Sequence, residues 1–344
     1  LEVVPEARRV LEAAAEQVGL AIEWDDITVG LAAYQQFGHT LPEGTLERLD
    51  ALDGWLLGPI GHRAYPKVPE AVNVHPIFRG HFTMFANVQL VKSFPSVPCV
   101  HQDVDLIIVR ENTEGFQPDR NMYLGSGEFR PSPDMTLSVR VITRQASNRI
   151  ARAAFELART RPRKQVTAVH KETVFKLGCG MFAEECRKVA AEYPEVAFEE
   201  IMVDTFALEL VMKPQKFDVV VTTNTFGDIF NDEAAGLVGG VGMIPRTNTR
   251  ATHIMAQACH GSAPDIAGRN IANPYAMIMS GQMMLEQLGH RLGNERAVAA
   301  ADLMRRACDS IIIDRSVVTP DLGGQASTSD MGQAMARRVR ELGA

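Results

Sequence analysis

The sequence predicts an α/β protein with a largely parallel sheet, and three observations support this prediction. Its 344 residues, 46% of them hydrophobic and 22% charged, suffice for two packed domains and do not suit a disordered, collagen-like or coiled-coil chain. Short apolar runs alternate with segments of helical periodicity along the whole length. Several of these runs are almost continuously apolar, which is typical of strands that helices cover on both faces.

The predicted elements follow in order from an opening amphipathic helix, LEVVPEARRVLEAAAEQVG. Because an α/β domain normally places a strand and a Gly-rich turn before such a helix, we expect a short first strand ahead of it. Strands are predicted at residues 22–29, 54–57, 105–109, 166–169, 197–203 and 217–222. Helices are predicted at residues 145–159, 181–193, 275–288, 295–309 and 329–342. Residues 125–134, rich in Gly, Pro and Ser, are predicted to form a turn or clasp.

Charge and cysteine usage exclude several classes of protein. Asp and Glu number 42 and Lys and Arg 35, so the formal net charge is −7 and nucleic acid is a poor partner. No apolar run approaches the length that a membrane span requires. The five cysteines are odd in number, scattered and without CxxC spacing, which argues against a disulfide framework or a zinc site. We expect a cytoplasmic protein.

The sharpest local feature is NTFGDIFNDEAAGLVGG, directly after the apolar run FDVVVTT. Asp228 and Asp232 are four residues apart, so on a helix their carboxylates share one face. Open α/β sheets place their ligands at the carboxyl ends of strands, and two carboxylates suit Mg²⁺ or Mn²⁺ better than zinc. The alternative is a pair of acidic residues that interact favourably with a helix dipole, and the spacing alone favours that alternative.

Two further candidates follow strands. Asp204 closes EEIMVD and could supply a third oxygen ligand, although such an aspartate is usually a turn former or helix cap. Lys171 follows QVTAVH, and beside a divalent cation its pKa could fall far enough for general-base catalysis. An exposed lysine after a strand is the simpler interpretation.

The segment ACHGSAPDIAG at residues 258–268 is a Gly-, Ser- and Pro-containing loop. Its amides could cradle a phosphate and Asp265 could accept from a ribose hydroxyl, although most such loops are only turns. The sequence contains no GxGxxG fingerprint of the Rossmann type. Arg79 and Arg110 could bind carboxylates through their planar guanidinium groups, but a lone arginine is more often a surface residue.

Taken together, these segments resemble the metal-dependent β-decarboxylating dehydrogenases, which include isocitrate, 3-isopropylmalate, homoisocitrate and tartrate dehydrogenases. Seven segments carry the resemblance in the expected order: FANVQLVKSFP, VRENTEG, TAVHK, IMVDTFALELV, FDVVVTTNTFGDIFNDEAAGLVGG, HGSAPDIAGRNIANP and TPDLGG. The resemblance implies an isopropylmalate/isocitrate dehydrogenase-like two-domain fold. Residues 1–84 and 239–344 would form the large cofactor-binding domain, and residues 85–238 the small domain with substrate, metal and dimer-interface elements.

The resemblance also implies site residues. The metal ligands would be Asp228 and Asp232 of one subunit and Asp204 of the other subunit of a homodimer. That other subunit would also supply the catalytic Lys171. Arg79 and Arg110 would hold the malate moiety. The adenosine-binding residues would be His260, Gly261, Ser262, Ala263, Asp265, Ile266 and Asn273. NADP-using members carry Lys-Tyr where Asp265 and Ile266 stand here, so the resemblance implies NAD, with Mg²⁺ or Mn²⁺ as the metal.

The sequence departs from the family pattern around the substrate. Gln89 stands where a third substrate arginine is expected, and Gln117 stands where the catalytic tyrosine is expected. Tyr123, six residues after Gln117, is the candidate substitute acid, and a packing role is the alternative.

Asn73 and His75 replace the Ser and Asn of isocitrate enzymes, and the C3 substituent of the substrate stays open. The expected reaction is oxidative decarboxylation of a 3-substituted malate to a 2-oxo acid, CO₂ and NADH, in active sites shared across the dimer. The alternative is a binding or regulatory subunit of the same family that has lost turnover.

Overall fold

The computed structural model describes residues 2–117, 122 and 125–344. Contacts divide the chain into two compact units. The first unit comprises Leu1–Phe78, Ser93–Gln102 and Val238–Ala344. The second unit comprises Arg79–Lys92 and Asp103–Leu237.

In the described residues the helices are α1 (Val3–Val18), α2 (Leu31–Phe37), α3 (Thr45–Asp50), α4 (Val74–His81), α5 (Arg144–Thr160), α6 (Gly178–Ala190), α7 (Val203–Met212), α8 (Asn224–Leu237), α9 (Tyr275–Leu292), α10 (Glu295–Asp314) and α11 (Thr328–Gly343). The strands are β1 (Gly54–Leu56), β2 (Ala86–Lys92), β3 (Asp105–Glu111), β4 (Glu128–Ser132), β5 (Met135–Ser138), β6 (Gln165–His170), β7 (Ala197–Met202), β8 (Val219–Thr222), β9 (Arg246–Thr249) and β10 (Ile254–Ala256). The α/β class and the mostly parallel sheet predicted from the sequence are confirmed.

The second unit contains the sheet on which the candidate site is built, in the order β2-β3-β8-β6-β7. Strands β3, β8, β6 and β7 run parallel to one another, and β2 runs antiparallel to β3. All four residues of β8 are buried, as the continuous apolar run FDVVVT predicts. Because the four parallel strands point the same way, their carboxyl ends lie at one edge of this sheet.

The first unit pairs β1 parallel with β10 and β10 antiparallel with β9. Its core is formed chiefly by the apolar faces of α1, α9, α10 and α11. Local sequence sets where two of these helices begin: the Asn294 side chain accepts from the amides of Arg296 and Ala297, and Ser327 forms a capping box with Asp330. Across the described residues, helices are too short or too polar to cross a membrane.

Three predictions of local structure are corrected. Residues 22–29 are not a strand; they run without ladder hydrogen bonds and, with β1, line a cavity of about 590 Å³ in the first unit. Apolar alternation alone therefore does not make a strand, because a strand also needs a paired neighbour. The predicted turn or clasp includes strand β4, which pairs with β5 as an antiparallel hairpin. Strand β7 ends at Met202, so Asp204 lies in the first turn of α7 rather than at a strand end.

Candidate functional site

Polar residues lie at or just beyond the carboxyl end of each of the four parallel strands in the second unit. Arg110 lies near the end of β3, Asn224 begins α8 just after β8, and Lys171 directly follows β6. Asp204 lies two residues beyond β7. The parallel ladder therefore brings side chains from distant parts of the sequence to one edge of the sheet, where open α/β sheets bind ligands.

Arg110 is buried, and its guanidinium is held from two sides. Its Nε and Nη2 donate to Oδ1 of Asn224 at 2.9 and 2.6 Å, and its Nη1 forms an ion pair with Asp228. The amide of Asn224 is itself oriented, because its Nδ2 donates to the carbonyl of Glu114 at 2.7 Å. We call Arg110, Asn224 and Asp228 the arginine cluster; it presents a fixed cation beside an exposed carboxylate.

Two glycines permit this close packing. A Cβ atom on Gly227 would lie 2.6–2.7 Å from the Cγ and Cβ atoms of Arg110, so any larger residue would displace the arginine. Gly115 has a φ of +99°, and a Cβ there would lie 2.9 Å from the Asn224 side chain. The arginine cluster therefore requires glycine at positions 227 and 115 as well as the side chains of its three members.

Asp228 and Asp232 lie on the exposed face of α8, one turn apart, as their spacing predicts. Exposed carboxylate oxygens of this kind are the ligands that Mg²⁺ and Mn²⁺ prefer, so the donor set fits such an ion. Asp204 does not join them: among the described residues, only His170, Glu172 and Glu200 form a group of three or more metal-binding side chains with ligand atoms within 4.8 Å of one another. Two carboxylates from one chain leave a hard cation with most of its coordination sites open.

Lys171 and Asp204 form an ion pair, with Nζ 2.8 Å from Oδ1. The hydrogen bond from Lys171 lowers the pKa of Asp204. Lys171 is three-quarters buried and Asp204 is exposed. The structure thus brings together two residues that the sequence proposed separately, on the segments that follow the neighbouring strands β6 and β7.

Gln89 lies on β2 and is fully buried. Its Nε2 donates to the main-chain carbonyl of Asn231 on α8 at 2.6 Å, and its Oε1 is buried without a hydrogen-bond partner. Asn231 also donates from Nδ2 to Oδ1 of Asn87 at 3.0 Å. These contacts attach β2 to the helix that carries Asp228 and Asp232.

Asn73 and His75 lie in the first unit, on either side of the start of α4. Nδ1 of His75 lies 3.3 Å from Oδ1 of Asn73, and Nε2 of His75 lies 2.6 Å from the amide Nε2 of Gln257. Both ring nitrogens are therefore engaged within the protein. Arg79, which belongs to the second unit, has its Nε buried.

The 258–268 loop of the first unit presents Gly261, Ser262, Ala263 and Asp265 as exposed residues and Ile266 as a half-buried one. Ala263 has a φ of +42°, a backbone conformation that side chains other than glycine rarely adopt, and its carbonyl accepts from the amides of Ile266 and Ala267.

The carboxyl-terminal side of this loop is anchored by hydrogen bonds. Glu2 accepts from the amides of Gly268 and Asn270 at 3.0 and 2.6 Å. Asn273 donates to Asp321 at 3.0 Å and accepts from the amide of Tyr275. Burial lowers the pKa of His260 at the start of the loop.

Comparison with known proteins identifies the family. The sequence model of isocitrate/isopropylmalate dehydrogenase matches residues 1–335. The chain belongs to the isocitrate/isopropylmalate dehydrogenase family.

Similar proteins in this family include enzymes with different substrates. The isocitrate/homoisocitrate dehydrogenase of Thermus thermophilus is 40% identical over 341 residues, which cover 99% of this chain and 96% of that protein. The 3-isopropylmalate dehydrogenase of Methanothermobacter thermautotrophicus is 39% identical over 335 residues, covering 96% and 95%. The crystal structure of isocitrate dehydrogenase from Methylococcus capsulatus matches with a TM-score of 0.85 at 39% identity, covering 98% of this chain and 96% of that one. The family consists of decarboxylating dehydrogenases that act on hydroxy acids with a β-carboxyl group and generally use a divalent metal and a nicotinamide cofactor.

Among the departures from the family pattern, Gln117 is half-buried on the segment after β3, and Tyr123 lies outside the described residues. Sequence reasoning missed Asn224, Gly227 and the group around His170 and Glu200. Asn224 stands in the same NTFGD segment as Asp228 and could have been noticed as a polar residue at a strand end. Gly227 could not, because its function depends on the clearance to Arg110.

Proposed function

We infer that this member of the isocitrate/isopropylmalate dehydrogenase family oxidises the hydroxyl group of a 3-substituted malate with NAD and releases the β-carboxyl group as CO₂. The observation that carries this inference is the arginine cluster, which sets a buried cation beside an exposed carboxylate face on α8. The guanidinium of Arg110 is suited to bind a carboxylate of the substrate. The exposed carboxylates on α8 are suited to bind a divalent metal ion.

Asp228 and Asp232 would hold Mg²⁺ or Mn²⁺ together with Asp204 of a second copy. When bound, such an ion polarises the oxygen that becomes the carbonyl and stabilises the negative charge left after CO₂ departs. Arg110 would bind and orient a carboxylate of the substrate, since its Nη1 is directed at Asp228, the exposed member of the arginine cluster. Arg79 is proposed to hold a second carboxylate.

Lys171 is proposed to take the proton of the substrate hydroxyl. In this structure Nζ of Lys171 is paired with Oδ1 of Asp204 at 2.8 Å, and this contact fixes where the amine lies.

Proton delivery to carbon after decarboxylation needs another group, because the amide of Gln117 is not a usable acid near neutral pH. Tyr123 is proposed for that step.

The 258–268 loop is proposed to bind the adenosine part of NAD. His260, Gly261, Ser262, Ala263, Asp265, Ile266 and Asn273 are its proposed binding residues. Asp265 is exposed and would accept from the ribose 2′-hydroxyl, whereas a 2′-phosphate would meet a like charge.

The C3 substituent is proposed to be an alkyl group. Both ring nitrogens of His75 are engaged, by Asn73 and by Gln257, so neither is free to meet a distant substrate carboxylate. This favours 3-alkylmalates over homoisocitrate-like acids, with Asn73 and His75 shaping the pocket.

A homodimer with shared sites is proposed from α7. Leu208 and Met212 are 64% and 62% exposed, and they follow Asp204 at intervals of four residues on the same helix face. A second copy that covered this apolar face would meet Asp204 as well. Leu208→Glu should therefore yield monomers in sedimentation velocity and abolish turnover together. A dimeric, active Leu208→Glu enzyme would contradict shared sites on this face.

The reaction is tested with a panel of 3-isopropylmalate, 3-methylmalate, isocitrate, homoisocitrate and tartrate, each with NAD or NADP and with Mg²⁺ or Mn²⁺. We expect NAD reduction with the alkylmalates and loss of activity in EDTA. A protein that binds NAD yet reduces neither nucleotide with any acid would instead be the regulatory subunit that Gln117 makes the second candidate.

A further inference from the structure

A charged network surrounds the residue next to Lys171. His170, the last residue of β6, is fully buried, and its Nε2 lies 2.9 Å from Oε2 of Glu200 on β7. Its Nδ1 accepts from the main-chain amide of Glu172 at 3.4 Å. The ring is therefore the neutral tautomer with its proton on Nε2, directed at the carboxylate.

Arg187 on α6 closes this network. Its Nε and Nη2 donate to the two oxygens of Glu200, each at 2.8 Å, and its Nη2 also lies 3.2 Å from both oxygens of Glu172. The hydrogen bond to Glu200 raises the pKa of Arg187. We call His170, Glu172, Arg187 and Glu200 the His170 network.

Three residues of the network are of types that bind metal ions: ligand atoms of His170, Glu172 and Glu200 lie within 4.8 Å of one another. Two observations disfavour that use. Arg187 already pairs with both carboxylates, and one ring nitrogen of His170 accepts a main-chain N–H. A cation entering here would have to displace a bidentate guanidinium.

The network fixes the main chain on both sides of Lys171. His170, which precedes Lys171, is held through its side chain by Glu200. Glu172, which follows Lys171, is held through its main-chain amide by His170 and through its carboxylate by Arg187. The carbonyl of Lys171 accepts from the amides of Val174 and Phe175 at 3.1 and 2.9 Å. Lys171 therefore has little main-chain freedom where Nζ meets Asp204.

We propose that His170 is a positioning residue for Lys171, acting through the main chain that it and Arg187 hold between β6, β7 and α6. The proposal rests on the catalytic role of Lys171 in the proposed function. A displacement of about 1 Å at a reacting group can cost roughly 10²-fold in rate, so this support is expected to govern kcat. It is not expected to govern KM for either substrate, because neither Arg110 nor any residue of the 258–268 loop is a member of the His170 network.

The first test is steady-state kinetics with the panel acid that the enzyme oxidises. His170→Ala should lower kcat by roughly 10- to 100-fold with little change in KM for the acid or NAD. His170→Gln should recover most of the loss, because its amide can donate to Glu200 and accept from Glu172. His253→Ala is the matched control, since His253 is also buried and bonded through both ring nitrogens, to Thr252 and to the Asp50 carbonyl. It should leave kcat unchanged.

The second test does not depend on turnover. In hydrogen exchange read by mass spectrometry, the peptide that contains the Val174 and Phe175 amides should exchange faster in His170→Ala and unchanged in His253→Ala. Unchanged exchange, or a kcat equal to that of the parent in folded His170→Ala, overturns the proposal. Lys171→Ala separates the two hypotheses: if it stays fully active while His170→Ala exchanges faster, the role of Lys171 in the proposed function fails and the positioning of its main chain stands.

Discussion

Arg110 lies buried on β3 of the second unit, whereas Asp265 lies exposed on the 258–268 loop of the first, and the two charges are held in different ways. Arg110 is fixed by direct bonds to Asn224 and Asp228 on regular elements. Asp265 stands on a loop that Glu2 and Asn273 anchor only at and beyond its carboxyl-terminal end. A bond made directly to a charged group constrains that group more than an anchor several residues away.

The two regions should therefore differ in how well they tolerate substitutions. Substitutions in the arginine cluster should reduce kcat steeply, because the charged atoms themselves are displaced. Substitutions in the 258–268 loop should change KM for the nucleotide gradually, because the loop can adjust around a missing contact.

The largest effect is expected at Asp228. Asp228→Asn removes a negative charge from the exposed face of α8 and should lower kcat/KM by roughly 10³-fold, since metal stabilisation of developing charge supplies several kcal/mol. Mn²⁺ binding, measured by electron paramagnetic resonance, should weaken in parallel. Asp302→Asn is the control, because Asp302 is a helical aspartate in ion pairs with Arg305 and Arg306. Equal losses in the two variants would remove the argument for a metal at α8.

The next effect is expected at Gly227. Gly227→Ala forces Arg110 to move, so activity should fall by roughly 10²-fold, and overpacking should lower the free energy of unfolding by about 1–3 kcal/mol. Gly236→Ala on the same helix is the matched control. Its added Cβ meets nothing within 4 Å, so it should raise stability by about 0.5–1 kcal/mol and leave activity unchanged. Full activity in Gly227→Ala would show that the position of Arg110 is not critical.

Much of this architecture could be predicted from the sequence, and the successes have a common cause. Strands such as β8 and helices such as α10 could be predicted because the order of apolar residues within each segment indicates which residues are buried. The shared face of Asp228 and Asp232 follows from helix geometry alone. In each case the information is local to the segment.

The failures are those that need a partner distant in sequence. Residues 22–29 have the pattern of a strand, but no periodicity reports whether a neighbouring strand will pair with them. Gln89 stands where the family pattern has a substrate arginine, and only the structure shows that it is buried and donates to Asn231. The clearance that makes Gly227 necessary depends on the register of β3 against β8, which no local pattern fixes.

A smaller effect is expected at Asp265. Asp265→Ala should raise KM for NAD by roughly 10- to 100-fold, the value of a hydrogen bond to a charged group, while kcat changes little. Discrimination against NADP should weaken in the same variant, because the repelling charge is gone. Initial rates with both nucleotides measure this, with Asp302→Ala as the control. If NADP is used as efficiently as NAD before any substitution, the proposed contact at Asp265 is wrong.

The smallest effect is expected at Glu2, which touches the loop only at its end. Its carboxylate accepts from the amides of Gly268 and Asn270, and Asn270 has a φ of +54°, so this turn relies on support from outside. Glu2→Ala should raise KM for NAD by about 3- to 10-fold, as expected for a net loss near 1 kcal/mol, and leave kcat unchanged. Glu2→Gln keeps one acceptor oxygen, so its KM for NAD should lie between those of the parent protein and Glu2→Ala. Because Glu2 acts by ordering the loop that carries Asp265, its substitution should add little in an Asp265→Ala background. Fully additive effects, or a fall in kcat as large as that of Gly227→Ala, would mean that the loop is as rigidly coupled to its function as the arginine cluster is.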